Sequence, residues 1–347
     1  MTERTIIALV SAPGGFAGRT DPIAVDSRWW PDAEPVNQAL EHLLGVPTTV
    51  LRLVSAEGGE RSAGGLVTYH VEAHGEPDRA KLRPADEPGA DAELRLPWAR
   101  PGGPAELVAW ADAQVDRTGP ATQVKTWNLS SVHRLSTANG TAWLKAVPPF
   151  FADEGEVIAM VAARDPALVP EVIASGPRRV LLADVPGEDC WDVTPEQVER
   201  IVPRWVAVQN ALAGEPRLTP SAVPMPSFGL PDTLVHGDFH PGNWRSSGVV
   251  IDWSDAVWGH PALDAARLMA FSPALSEVIS RVWSRAWLEH RPDSRPLEAL
   301  DVARRASHLH NAVRYQEFLD NIEESERIYH RDDPANELRA ALRLVTG

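Results

Sequence analysis

The stretch LVHGDFHPGNW, residues 234–244, sets His236, Asp238, His240 and Asn243 close together, with Gly237, Pro241 and Gly242 between them. Thr233 to Val235 before it is β-branched or apolar. SGVVIDW, 247–253, is a second short apolar run and carries Asp252. The pattern predicts two short strands joined by a polar loop. Three chemistries suit such a loop: a metal nest, a turn in which Asp and Asn bond their own backbone, or a phosphate-handling loop. The stretch alone does not choose among them.

Bulk properties narrow the field. A chain of 347 residues, 44% hydrophobic, buries a sizeable core and has room for two or three domains. The net charge of −15 argues against a nucleic-acid binder, which needs clustered Lys and Arg. Apolar runs such as Thr5 to Val10 and Val180 to Ala183 are too short to span a bilayer, and residues 1–10 lack a signal-peptide core, so a cytoplasmic protein with no membrane partner is expected. Cys190 is the only cysteine, which excludes an internal disulfide and thiolate metal clusters. Lys81, Lys125 and Lys145 are the only lysines among 33 basic residues, so each carries more information than an ordinary surface cation.

Along the chain, 5–10 reads as a strand, Glu34 to Leu44 as a helix closed by Gly45, and 48–54 and 66–73 as strands. Residues 75–103 read as loop, Pro104 to Val115 as a helix, and 118–120 (TGP) as a break. TIIALVSAPGGFAGRT resembles a strand and P-loop only loosely: Pro13 and Arg19 stand where glycine and lysine belong, and Pro22 interrupts any helix. A glycine-rich turn is expected there. From 122 to 147 strand-like segments alternate around Asn139-Gly140, a hairpin signal, and Lys145 sits in the apolar run WLKAV. Taken alone, Lys145 is an edge-strand charge that discourages aggregation. Residues 151–163 form a helical stripe with Glu154 in its first turn, where a carboxylate favours the helix dipole. A strand at 178–185 leads to Pro186-Gly187. Helices are then expected at 195–212, 261–271, 275–288 and 297–328.

HGDFHPGN resembles the HGDxHxxN signature of the aminoglycoside phosphotransferase and choline kinase family, relatives of the protein kinases. Asp238 and Asn243 have the spacing of the kinase HRDxxxxN loop. Asp252 in VVIDW resembles the DFG aspartate, Lys145 and Glu154 resemble the strand-lysine and helix-glutamate pair, and GHPALDAARL, 259–268, is similar to GxPxxDLA with Asp264 in its aspartate position. The order of these pieces is more specific than any one of them. DxH with His236 also resembles the metallophosphoesterases, but their further GD and GNH motifs are missing and Trp244 follows Asn243.

The kinase resemblance implies an α+β, bilobal protein-kinase-like fold: a small β-rich N-lobe at 119–185 and a larger helical C-lobe at 186–347, preceded by an extra α+β region at 1–118. It implies an ATP-dependent O-phosphotransferase with Mg²⁺. Asp238 would accept the proton of a small-molecule hydroxyl. Asn243 and Asp252 would hold the metal, and Lys145, oriented by Glu154, would pair with phosphates. His236, His240 and Asp264 would brace the loop. WNLSSV, 127–132, lacks the kinase glycines, which leaves Ser130 and Ser131 as phosphate contacts, while DAARL departs from DLA without touching the metal ligands. The adenine would meet backbone groups of the connecting segment Leu181 to Val185, Leu182 among them, and Asp184 or Glu188 would touch the ribose or play no part. Carboxylates at Glu317, Asp320, Glu323, Glu324 and Glu326 would face a cationic acceptor such as an amino sugar or choline, or form a solvated helix face. The rival readings are a nucleotide-binding pseudokinase or regulatory module and a metal-dependent phosphohydrolase. The oligomeric state is not legible.

Overall fold

The computed structural model describes residues 4–89, 93–214 and 216–346. By contact the chain divides into two compact units, 1–148 with 318–331, and 149–317 with 332–347. The architecture is α+β, with the strands concentrated in the first unit and the helices in the second.

The first unit opens with β1 (Arg4–Ala12), β2 (Gly15–Thr20) and β3 (Ile23–Val25), followed by α1 (Glu34–Leu44), β4 (Thr48–Glu57), β5 (Gly65–Ala73), β6 (Leu82–Arg83) and α2 (Gly103–Asp112). These strands form one mixed sheet in the order β4-β5-β1-β2-β6, with β3 paired to β1. β1 and β5 run parallel and the other neighbours antiparallel. Alternate residues of β1 and β5, including Ile6, Ala8, Val10, Val67, Tyr69 and Val71, share a core with Val36, Leu40 and Leu44 of α1. The glycine-rich stretch after β1 is a hairpin turn, since the chain continues as β2 rather than entering a helix. A second, antiparallel set follows: β7 (Thr122–Thr126), β8 (Ser131–Thr137) and β9 (Gly140–Ala146). The β8–β9 turn residues are Ala138 and Asn139. Gly140 takes φ +110°, and Thr137 Oγ1 accepts from Asn139 N and donates to Gly140 O.

The second unit contains α3 (Glu154–Ala162), the hairpin β10 (Val172–Gly176) and β11 (Arg179–Ala183), then α4 (Pro195–Leu212), β12 (Thr233–Val235), β13 (Val257–Gly259), α5 (Ala262–Phe271), α6 (Ser276–His290), α7 (Pro296–Asn321) and α8 (Asp333–Thr346). α4 starts at a capping box, Thr194 Oγ1 accepting from Gln197 N while Gln197 Oε1 accepts from Thr194 N. Its buried face, with Trp205 and Val206, packs into a core containing Phe239, Trp244, Trp253, Trp283 and Trp287. Among the described residues no helix is long and apolar enough to cross a membrane.

Two expected elements differ. The strand at 247–253 is reduced to a single bridge between Trp244 and Val250, and β12 pairs with β13 instead. Gly248 at φ +97° and Asp252 at φ +65° break the extended path on either side of Val250. The single helix expected over 297–328 stops at Asn321, and a 3₁₀ segment follows at Glu324–Tyr329. Here Ile322, Glu323 and Glu326 turn inward. Glu323 Oε2 accepts from Arg95, and Glu326 Oε1 accepts from Leu53 N. Buried hydrogen bonds over long sequence separation outweigh helical periodicity.

Candidate active site

The 234–244 loop is held from below by one carboxylate. Asp264, in the first turn of α5, accepts from His236 N at 2.9 Å and Trp205 Nε1 at 2.9 Å through Oδ2, and from Gly237 N at 3.1 Å through Oδ1. Gln209 Nε2 adds a bond to Oδ2 at 3.3 Å. Burial pushes the Asp264 carboxyl up, to about 7, against these four N–H donors, which favour its ionised form. Gly237 has φ +84°, and a Cβ there would lie 2.2 Å from Asp255 O, so only glycine lets the loop pass.

The two histidines of the loop are bonded at both ring nitrogens. His236 Nδ1 accepts from Asp238 N at 3.2 Å and Nε2 donates to Ile251 O at 3.1 Å. Burial lowers its pKa to about 4, so the ring is neutral in this bracing arrangement. His240 Nδ1 accepts from Gly242 N at 3.0 Å, which leaves Nε2–H to donate to Asp238 Oδ2 at 3.2 Å.

Asp238 is thereby enclosed. Arg267 Nε and Nη2 both donate to Oδ1, at 3.1 and 2.8 Å, while Oδ2 takes His240 and the Asn243 amide at 3.3 Å. Burial works against its charge, yet Arg267 and His240 prevail and hold the carboxyl well below the usual carboxylate range. Burial likewise opposes the Arg267 charge, and Asp238 beside it raises the guanidinium above its ordinary value.

Asn243 Nδ2 donates to Asp238 O at 2.9 Å as well, so the amide nitrogen is committed to the loop and the amide oxygen is directed elsewhere. Ile251 N donates to Asn243 O at 2.8 Å, tying the next segment, and with it Asp252, to the loop. Asp252 occupies the left-handed region at φ +65°, ψ +65°, and its Oδ1 accepts from Ser254 Oγ at 3.0 Å. A non-glycine residue held there is strained, and such strain gathers at functional positions. Glu154 Oε1 accepts from Trp253 N at 3.1 Å, anchoring α3 to the same turn.

Asp238, His236, His240, Asn243, Asp252, Asp264 and Glu154 are thus joined by hydrogen bonds within the second unit. Lys145 lies on β9 of the first unit, opposite Val132. Ser130 Oγ accepts from Trp127 Nε1 at 3.0 Å, and Ser131 is fully buried at the start of β8, so the phosphate contact expected of their hydroxyls rests on sequence position alone. Leu182 is half-buried on β11, with exposed Asp184 just beyond it. Glu317, on α7, is paired with Arg314; Asp320 and Glu324 are exposed and belong to the first unit. Glu323 and Glu326, also read as facing an acceptor, are buried and hydrogen-bonded inside the first unit.

Two residues of this site escaped the sequence reading. Arg267 is the R of DAARL, the only cation on α5, one turn beyond Asp264; that isolated charge on an apolar helix was its signal. Trp191 left no local signal. Its ring stacks on His240 at 5.1 Å and 24°, and a Cβ on Gly242 would come within 2.2 Å of it.

Residues 215–300 match the model of the phosphotransferase enzyme family, APH. The match covers this segment and not the chain as a whole. The segment contains Asp238, Asn243, Asp252, Asp264 and Arg267. No curated protein matches the chain. Among solved structures, the chain is similar to aminoglycoside phosphotransferase APH(4)-Ia, at 16% identity over 70% of this chain and 98% of that one, TM-score 0.48. Choline kinase LicA from Streptococcus pneumoniae gives 13% identity, 70% and 99% coverage and a TM-score of 0.48. A choline/ethanolamine kinase family protein from Mesorhizobium loti gives 16%, 70% and 100%, and 0.45.

Proposed function

We propose that the phosphotransferase-family segment serves an ATP-dependent O-phosphotransferase acting on a hydroxyl of a small molecule. The observation that carries this reading is the joint placement of Asp238, Asn243 and Asp252 on one hydrogen-bonded framework, with the Asn243 amide nitrogen committed to the loop. An amide oxygen and a carboxylate are the hard donors Mg²⁺ prefers. Among the described residues no three His, Cys, Asp or Glu side chains form a metal cluster. Bound Mg·ATP supplies the phosphoryl group and neutralises charge on it.

The chain's own residues do the rest. Asp238 would orient the acceptor hydroxyl and receive its proton late, a task within reach of a weakly basic carboxylate. His240 and Asn243 fix its Oδ2, and Arg267 its Oδ1. Asp264 and His236 hold the backbone from which Asp238 projects. Lys145 takes its phosphate-pairing role from its place in the motif order.

One observation favours a second reading, a nucleotide-binding module without turnover: both Asp238 oxygens already accept two bonds each. The phosphohydrolase reading loses ground, because all four ring nitrogens of His236 and His240 are already hydrogen-bonded, three within the loop and one to Ile251 O. ADP formation from Mg·ATP across sugars, aminoglycosides, choline and hydroxy amino acids separates these readings. Acceptor-dependent ADP supports the transferase, ATP binding without turnover the module, and phosphate release from monoesters without ATP the hydrolase.

A further inference from the structure

WNLSSV, 127–132, the segment that the kinase resemblance assigns to the phosphates, has no glycine, and none of its residues takes a positive φ. A glycine-rich loop gains its shape from backbone freedom. This one is shaped from outside.

The shaping comes from the 3₁₀ segment Glu324–Tyr329 and from His330 after it. Asn128 is 1% exposed; its Nδ2 donates to Glu326 O at 3.3 Å, and His330 Nε2 donates to its Oδ1 at 3.3 Å. The Trp127 ring meets Tyr329 edge-on at 5.5 Å and 73°, and lies 5.6 Å from the His330 ring. Trp127 in turn holds Ser130: its N donates to Ser130 O and its Nε1 to Ser130 Oγ, both at 3.0 Å. Whatever fixes Trp127 therefore fixes Ser130.

The 3₁₀ segment is itself held by parts of the chain other than this loop. Glu326 Oε1 accepts from Leu53 N and Ser325 Oγ donates to Leu53 O, each at 3.0 Å, while Glu323 pairs with Arg95. Tyr329 also meets Trp30 edge-on at 5.7 Å. All these residues belong to the first unit. Both ends of the buried Asn128 amide are satisfied by partners 198 and 202 residues away. Loss of those partners would leave a buried polar group unpaired, so the pairing is specific.

We propose that residues 323–330 clamp the phosphate loop, and that Asn128, Tyr329 and His330 are positioning residues for the nucleotide phosphates, acting through Trp127 and Ser130. The proposal rests on the phosphotransferase reading and adds to it the device that stands in for the missing glycines. A turn ordered before the nucleotide arrives loses little freedom on binding; a released turn must be ordered at that moment.

The test measures binding of Mg·ATP and of adenosine by calorimetry, for the full chain and for Asn128→Ala, His330→Ala and His330→Gln. Either alanine change should raise the Kd for Mg·ATP about tenfold, the scale of one or two hydrogen bonds, and leave adenosine, which has no phosphate, within about twofold. His330→Gln keeps a side-chain N–H for Asn128 and should recover most of the loss. Hydrogen exchange on the same variants should show the 127–130 amides opening while β8 and β9 stay protected, which separates a loosened turn from an unfolded sheet. Equal losses for Mg·ATP and adenosine, an unchanged Kd for Mg·ATP, or 127–130 amides as protected in the alanine variants as in the wild type overturn the clamp and leave the phosphotransferase standing. A wild type that binds no Mg·ATP removes both readings.

Discussion

The Arg267–Asp238 pair is the tightest constraint in the site and its energy can be bracketed. Breaking a fully buried ion pair by removing one partner costs about 3–5 kcal/mol. Here the Arg267 side chain is 14% exposed and the Asp238 side chain 27% exposed, so water relieves part of that cost. Screening reduces the pair's own contribution to about 2 kcal/mol. Arg267→Ala also loses the stack on Phe271, worth about 0.5–1 kcal/mol. The single change should therefore destabilise the chain by roughly 3 kcal/mol. In an Asp238→Asn background the pair is already gone, and the same Arg267→Ala change should cost only about 1 kcal/mol. Urea unfolding of the wild type, both single variants and the double variant closes the cycle. The expected coupling is about 2 kcal/mol. A coupling below about 0.5 kcal/mol would show that the pair is a surface contact and that Asp238 is not locked.

Other perturbations reach separate parts of the account. Glu326 is buried, which with Glu323 beside it raises its carboxyl from 4.5 to about 8. Its folded form thus holds a proton that the unfolded chain releases, and stability should fall as pH rises from 4.5 to about 8, by up to about 1.4 kcal/mol per pH unit from this group. Glu326→Gln, which keeps an oxygen for Leu53 N, should gain on the wild type in urea midpoint at pH 8 and match it at pH 4.5; equal midpoints at both pH values contradict the buried neutral acid. Gly242→Ala forces the Trp191 ring off the loop, and should cost about 1–3 kcal/mol in urea unfolding by overpacking. Asp252→Gly keeps the left-handed backbone and removes only the carboxylate, so it should stay folded while Mg²⁺ no longer strengthens ATP binding in calorimetry; unchanged Mg²⁺ dependence would remove Asp252 from the metal site.

What the sequence disclosed was local. The run from Thr233 through Asn243 could be read as strand and loop because its turn residues, its histidines and the Asp238–Asn243 spacing lie within a few residues of one another. α4 announced itself through Thr194 and Gln197, and α1 through its apolar spacing and Gly45. What stayed hidden was tertiary. VVI at 249–251 has strand composition, yet a left-handed Asp252 ends the extension and gives β12 a different partner. The periodicity over 297–328 is helical throughout, and only the buried bonds of Glu323 and Glu326 explain the stop. Arg267 was visible as a charge but not as the partner of Asp238, 29 residues away. Trp191 was one of 13 tryptophans until Gly242 showed what it lies against.

The central claim is that Asp238 serves an acceptor hydroxyl during phosphoryl transfer. The most direct measurement is acceptor-dependent ADP formation from Mg·ATP by the wild type and by Asp238→Asn, both confirmed folded at the assay temperature. The account predicts ADP release by the wild type and a loss of at least about a hundredfold in kcat for the variant, with the KM for ATP little changed. Equal turnover by the two proteins would contradict it.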